Sequence, residues 1–190
     1  MKVGVLALQG AFREHAEALG TLGADVTLVK RPEHLAGVDA IVLPGGESTT
    51  IDKLLDTSGL REPLLGRLHD GLPAFATCAG LIVCAGEVVD GRPDQRPLGV
   101  LDVTVRRNGY GRQRESFEAD LDVPALAGGA FRGIFIRAPV VERAGAAVEV
   151  LAAHDGVPVL GRQGAIWFSS FHPELAGDLR LHESFLHEVG

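Results

Sequence analysis

Three short stretches carry the residue types that acyl chemistry needs. "FATCAGL" (75–81) sets Cys78 between two apolar runs, and "SSFHPEL" (169–175) holds His172 and Glu174 on either side of Pro173. "LPGGEST" (43–49) ends an apolar run in the adjacent glycines Gly45 and Gly46. A thiolate attacks an amide or ester carbon when a base manages its proton and a third group orients the base. Ala76, Cys78 and Gly80 follow a small-x-Cys-x-Gly pattern, which suits a sharp strand-to-helix turn that lifts one side chain clear of the sheet edge. The N-terminus of the following helix would stabilise negative charge on the sulfur. On this segment alone a buried packing role for Cys78 stands level with the nucleophile, because a lone intracellular cysteine is commonly a small core residue.

Cys84 follows six positions later, about 600° around a helix, and so on a different face from Cys78. It reads as a packing residue. Two cysteines at this spacing make neither a disulfide framework nor a metal pair.

His172 and Glu174 can sit together at a strand end, one ring nitrogen facing the thiol and the other donating to the carboxylate. Among the seven histidines, His15 beside Glu14 and His182 beside Glu183 are further His–Glu neighbours, and both are expected on solvated helix faces. The glycine amides of Gly45 and Gly46 carry no side chain to shield them, so an N–H can point at a developing oxyanion. A tight turn with Glu47 or Ser48 capping the next helix is an equally simple use of the same residues. Neither G-x-x-x-x-G-K nor G-x-G-x-x-G occurs, which argues against a phosphate loop.

These residues need a frame. Strand-like "KVGVLAL" (2–8) leads to helical "AFREHAEALGTLG" (11–23), where Phe12, His15, Ala16, Leu19 and Leu22 lie at helical spacing and Gly23 is the stop. Strands at 25–30 and 39–45, a helix at 60–71, a strand at 73–77 and a helix at 79–89 follow. This β-α-β order predicts a doubly wound parallel sheet. The second half reads as strands over 98–108, 115–123, 131–139 and 147–173 joined by short turns, with Asp155-Gly156 as a hairpin signal and a final helix at 178–189. No linker or repeat interrupts the chain, so residues 1–190 are expected to form one domain.

Composition sets the class. A chain of 190 residues, 46% of them hydrophobic, can bury a large core without disulfides. The formal charge of −7, with no basic tail, argues against nucleic-acid or membrane-surface partners. No apolar stretch approaches the ~20 residues that span a bilayer, and no signal peptide precedes the first strand, so a reduced, cytoplasmic protein is expected.

Together, P-G-G-E-S-T, T-C-A-G-L and F-H-P-E in this order resemble the class I (triad) glutamine amidotransferases. A finer resemblance is to the glutaminase subunits of pyridoxal 5′-phosphate synthase. It rests on "GVLALQGAFREH" (4–15), "LPGGESTT" (43–50), "TCAGLI" (77–82), "RNGYGRQRESFEADL" (107–121), "FIRAP" (135–139) and "SFHPEL" (170–175), and so covers essentially the whole chain. The resemblance implies a mixed, mostly parallel flavodoxin-like sheet flanked by helices, and hydrolysis of L-glutamine to L-glutamate and ammonia through a thioester. It implies Cys78 as nucleophile, His172 as base and Glu174 as orienting acid, with Gly45, Gly46 and Ala79 at the oxyanion. Gly46, Glu47, Ser48, Arg107, Ile136 and Arg137 match positions that hold glutamine, and Gln9 and Gly10 match a segment near the synthase interface. It implies no metal and no bound cofactor, and a synthase partner subunit (PdxS) that receives the ammonia in a hetero-oligomeric complex. One position departs from the family pattern: Ala76 stands where Gly is common.

Other readings of the same triad fit the chain less well. The glutaminase subunit of imidazole glycerol phosphate synthase shares triad and fold, but "GVLALQG" and "RNGYGRQ" favour the vitamin B6 branch. A degenerate amidotransferase fold kept for binding would lack a triad member, and none is missing. Cysteine hydrolases of the PfpI kind tend to carry His directly after the cysteine, where this chain has Ala79.

Overall fold

The computed structural model describes residues 1–107, 109 and 116–190. The first half contains β1 (Lys2–Leu6), α1 (Phe12–Thr21), β2 (Asp25–Val29), β3 (Ala40–Leu43), α2 (Ser48–Thr57), α3 (Arg61–His69), β4 (Ala74–Thr77) and α4 (Ala79–Cys84). Then follow β5 (Ala85–Val89), β6 (Leu101–Arg106), β7 (Ser116–Leu121), β8 (Phe131–Ile136), β9 (Val140–Ala144), β10 (Glu149–His154), β11 (Val157–Gln163), β12 (Ile166–Ser169) and α5 (Arg180–Val189).

Seven strands form the central sheet in the order β10-β11-β12-β4-β3-β1-β2. Strands β2, β1, β3, β4 and β12 run parallel, β11 runs antiparallel beside β12, and β10 runs antiparallel to β11 at the edge. The sheet is therefore mixed and mostly parallel, as expected. The parallel part is doubly wound: the strand order reverses direction between β1 and β3, which opens a crevice at their carboxyl ends.

Residue alternation explains the two layers. Every residue of β3, β4 and β12 is buried, as central strands covered on both faces must be. Ile41, Leu43, Ala76 and Phe168 pack with Ile51 and Leu55 of α2, Leu64 and Leu68 of α3 and Leu81 of α4. Their neighbours Val42, Phe75 and Trp167 face the other way and pack with Leu19 of α1 and Leu181 and Phe185 of α5. Helices α1 and α5 thus share one face of the sheet.

Two small sheets, β5-β6-β9 and the hairpin β7-β8, complete the fold. Ser116, Glu118 and Asp120 of β7 are exposed, while Phe117, Ala119 and Leu121 turn inward, the alternation of a hairpin with one wet face. Asp155 and Gly156 both adopt positive φ, 50° and 78°, as the two-residue turn between β10 and β11 requires.

The helix expected over 79–89 is corrected: α4 ends at Cys84, and Ala85 is already extended at φ −59°, ψ 150°. The β-branched pair Val88 and Val89 aligns with Val105 and Arg106 of β6 instead of continuing a helix. Strand β9 falls in a stretch for which the sequence predicts no element. Residues 108 and 110–115 of the "RNGYGRQRESFEADL" block lie outside the described residues. Among the described residues, no helix is long and apolar enough to cross a membrane.

Candidate active site

The carboxyl ends of β1, β3, β4 and β12 meet at a pocket of about 300 Å³. Gly45, Gly46, Glu47, Ser48, Cys78, Ala79, Arg107, Ile136, Arg137 and His172 all line it, with Gln9 and Gly10 at the end of β1. Of the expected site residues only Glu174 lies off the wall, its side chain fully buried behind His172.

Cys78 occupies the turn between β4 and α4 at φ 49°, ψ −103°. A positive φ at a residue with a Cβ stores about 1–3 kcal/mol of strain, which the fold must hold in place. The Cys78 N–H donates to Ser169 O at 2.8 Å, tying the turn to the end of β12. Its Sγ lies 4.0 Å from the Ile136 carbonyl at the end of β8. Cys78 is thus buried yet faces the pocket, on a strained elbow. Cys84 does neither. It is fully buried at the end of α4, and burial pushes its thiol up to about 12.

His172 follows β12, and its N–H donates to Ile134 O at 2.8 Å. Pro173 opens a 3-10 turn, Pro173–Leu175, that folds Glu174 back until His172 Nδ1 stands 2.7 Å from Glu174 Oε1. Burial works against a charged His172 ring, but hydrogen bonds with Cys78 and Glu174 and their negative charge outweigh it and carry the ring up to about 10. Burial likewise opposes ionised Glu174, yet hydrogen bonding from His15 and His172 holds it well below the usual carboxylate range. The Glu174 carboxylate accepts from Nδ1–H, which leaves Nε2 of His172 free to serve the thiol.

Behind this pair lies a second buried layer. His15 and His182, expected on solvated faces, are both 0% exposed. His15 Nε2 is 3.2 Å from Glu174 Oε2 and 3.1 Å from Thr77 Oγ1, and His15 Nδ1 meets His182 Nε2 at 2.9 Å. The correction has a simple cause. His15 belongs to the inward stripe of α1 with Leu19, and His182 to that of α5 with Leu181 and Phe185. The spacing Phe12-His15-Leu19 carries the signal, but the neighbouring Glu14 and Glu183 point to water.

The pocket mouth is polar. Glu47 caps α2, accepting from Thr49 N–H at 3.2 Å and Thr50 N–H at 2.7 Å, and Arg107 Nη2 donates to it at 3.1 Å. Burial opposes this charge, but the threonine hydrogen bonds win and hold the Glu47 carboxyl down at about 2. Gln9 Oε1 accepts from the Glu47 N–H at 2.7 Å. Ser48 Oγ is buried without a hydrogen-bond partner among the described residues, on a residue of the pocket wall.

Gly45 departs from the expectation in an informative way. Its N–H donates to Thr77 Oγ1 at 3.0 Å and its carbonyl accepts from Ala11 N–H at 2.9 Å. Both groups are committed within the fold, so Gly45 offers no free oxyanion donor in this conformation. Its lack of a side chain has another use, because an added Cβ would stand 2.4 Å from His172 Cε1 and 3.3 Å from Cys78 Cβ. Ala76, the departure from the family pattern, is fully buried in β4 between Leu43 and Phe168, where its methyl joins the core. Among the described residues, no group of three His, Cys, Asp or Glu side chains is placed to hold a metal ion.

Comparison with known proteins follows the same lines. The model of the SNO glutamine amidotransferase family matches residues 5–190. The pyridoxal 5′-phosphate synthase subunit PdxT of Acidothermus cellulolyticus is 56% identical over 190 residues, covering 97% of this chain and 92% of that protein. The protein of the same name from Thermotoga neapolitana is 53% identical over 189 residues and covers 100% of both chains. A crystal structure described as a glutamine amidotransferase superposes with a TM-score of 0.92 at 54% identity, covering 99% of this chain and 98% of that one. A glutamine amidotransferase from Thermotoga maritima shares the fold alone, with a TM-score of 0.62 at 13% identity, covering 100% of this chain and 84% of that one.

Proposed function

From the premise that the chain belongs to the SNO glutamine amidotransferase family, we propose that it is the glutaminase subunit of pyridoxal 5′-phosphate synthase, with Cys78, His172 and Glu174 as its triad. The observation that carries the triad is the placement of His172, with Nδ1 on buried Glu174 and the ring on the wall of the same pocket as Cys78.

The Cys78 thiolate attacks the side-chain amide carbon of glutamine. A tetrahedral oxyanion forms, and the backbone amides of Gly46 and Ala79 are the donors left to receive it. One such donor is worth about 3–4 kcal/mol in comparable acyl transfer. The His172 imidazolium gives its proton to the departing nitrogen, ammonia leaves, and a glutamyl thioester remains on Cys78. His172, now neutral, takes a proton from water. The hydroxide so generated attacks the thioester, glutamate leaves, and the thiolate–imidazolium pair is restored. Glu174 stays ionised throughout and keeps the ring in the tautomer that faces the sulfur.

Glutamine recognition falls to the pocket mouth. Glu47 suits the substrate ammonium and Arg107 its carboxylate, with Ser48 Oγ as an open hydroxyl and the Gly46, Ile136 and Arg137 backbone closing the wall. The ammonia passes to a synthase partner in a hetero-oligomeric complex, and Gln9 and Gly10, at the pocket edge, belong to the docking side. Glutamate release, measured with and without the synthase subunit, tests this function. Turnover that rises when the partner is added supports it, and full turnover by the isolated chain contradicts the coupling.

A further inference from the structure

We propose that His15 is a positioning residue for both halves of the catalytic apparatus, held in its working tautomer by His182. The proposal rests on the triad reading above. His15 Nε2 is 3.2 Å from Glu174 Oε2, the oxygen that His172 does not use, and no aligned hydrogen-bond donor reaches that oxygen among the described residues, so the His15 contact is the approach that can serve it. An ionised carboxylate that is 0% exposed needs a donor on each oxygen, because leaving a buried charged acceptor unmet costs several kcal/mol. The same nitrogen is 3.1 Å from Thr77 Oγ1, which in turn accepts the Gly45 N–H. One N–H, shared between Glu174 and Thr77, thus fixes the carboxylate that orients the base and the hydroxyl that holds the glycine packed against it.

The second ring nitrogen sets the proton. With Nε2 protonated toward two oxygen acceptors, neutral His15 presents a lone pair at Nδ1, and His182 Nε2 lies 2.9 Å away to donate to it. Neither ring touches the pocket, so the pair acts only through Glu174 and Thr77. It also links elements that are far apart in sequence. His15 sits on α1, His182 on α5, Thr77 at the end of β4 and Glu174 in the turn after β12. Helix α1 begins beside Ala11, whose N–H holds the Gly45 carbonyl, so the helix grips Gly45 from both sides of its peptide.

The test compares His15→Phe, which keeps the ring volume and removes the donor, with His15→Gln, which returns an N–H near the position of Nε2. Both are assayed for glutamate release in the presence of the synthase subunit, beside Cys78→Ala. Positioning predicts a kcat at least about 30-fold lower in His15→Phe with KM within about twofold, and at least a tenfold recovery of kcat in His15→Gln. A His15→Phe kcat within about twofold of the unaltered protein, or a His15→Gln variant no better than His15→Phe, overturns the proposal. An active Cys78→Ala variant would instead overturn the triad reading on which it rests. Imidazole ¹⁵N spectra of the unaltered protein give a readout independent of how the variants fold. A proton on His15 Nε2 supports the assignment, and a deprotonated Nε2 overturns it.

Discussion

A Cβ placed on Gly45 would stand 2.4 Å from Cε1 of His172, closer than any two such atoms can approach. The His172 ring therefore packs directly against a backbone that has no side chain, and that backbone is pinned by Thr77 and Ala11. Gly45→Ala must push the imidazole away from Cys78. A displacement of about 1 Å at a reacting group costs on the order of 100-fold in rate. We expect kcat/KM for glutamine to fall by at least that factor while thermal unfolding changes little, measured by glutamate release and calorimetry.

The elbow at Cys78 stores strain that a variant can release. Glycine adopts φ 49° without penalty, whereas alanine does not. Both Cys78→Gly and Cys78→Ala should lose turnover, but Cys78→Gly should be the more stable by about 1 kcal/mol in denaturant titration. Cys84→Ala should show the reverse pattern, with turnover retained and about 1 kcal/mol of stability lost from its core site. A stability order of Ala above Gly at position 78 would contradict the strained elbow.

Arg107 and Glu47 face one another across the pocket mouth at 3.1 Å. If Arg107 receives the substrate carboxylate, Arg107→Ala loses a charge-assisted hydrogen bond worth about 1.5–3 kcal/mol. KM for glutamine should rise about tenfold or more with kcat within about threefold. Steady-state kinetics reads the split directly, and a fall in kcat at unchanged KM would place Arg107 elsewhere in the cycle.

Acid should expose His182. Burial holds its ring down at about 3 from an ordinary 6.5. A folded-state value below the unfolded one means the stabilisation is complete above pH 6.5 and is lost as pH falls toward 3. The slope is about 1.4 kcal/mol per pH unit. Glu174, also depressed, contributes stability that is lost only below its ordinary 4.5, and His172, raised to about 10, loses its contribution as pH rises from 6.5 toward 10. Between pH 6.5 and 4.5, then, of these three groups only His182 drives the loss. Denaturant titrations across that window should show a smaller slope for His182→Phe than for the unaltered protein. An unchanged slope would contradict the assignment.

What residues alone make legible is whatever depends on near neighbours. The Cys78 elbow, the His172-Pro173-Glu174 turn and the Asp155-Gly156 hairpin are local devices, and each lies where its sequence places it. The end of α4 is not legible, because the apolar run through Ala85 continues past the point where pairing with β6 takes over. The meeting of His15 and His182 escapes a local reading for a similar reason. Helical spacing can mark an inward stripe, but that the two stripes meet depends on α1 and α5 sharing one face of the sheet, a fact of strand order that no helical pattern contains. Gly45 shows a third case: its type is right for the site, but its N–H turns to Thr77 once β3 and β4 lie side by side.

The central claim is that Cys78 carries the acyl group. Stopping the reaction in acid during steady turnover with glutamine, then digesting the protein and weighing the fragments, locates that group. The account predicts one glutamyl adduct on the fragment containing Cys78, lost on mild alkali and absent from Cys78→Ala. An adduct on any other residue, or glutamate release by Cys78→Ala at the rate of the unaltered protein, would contradict it.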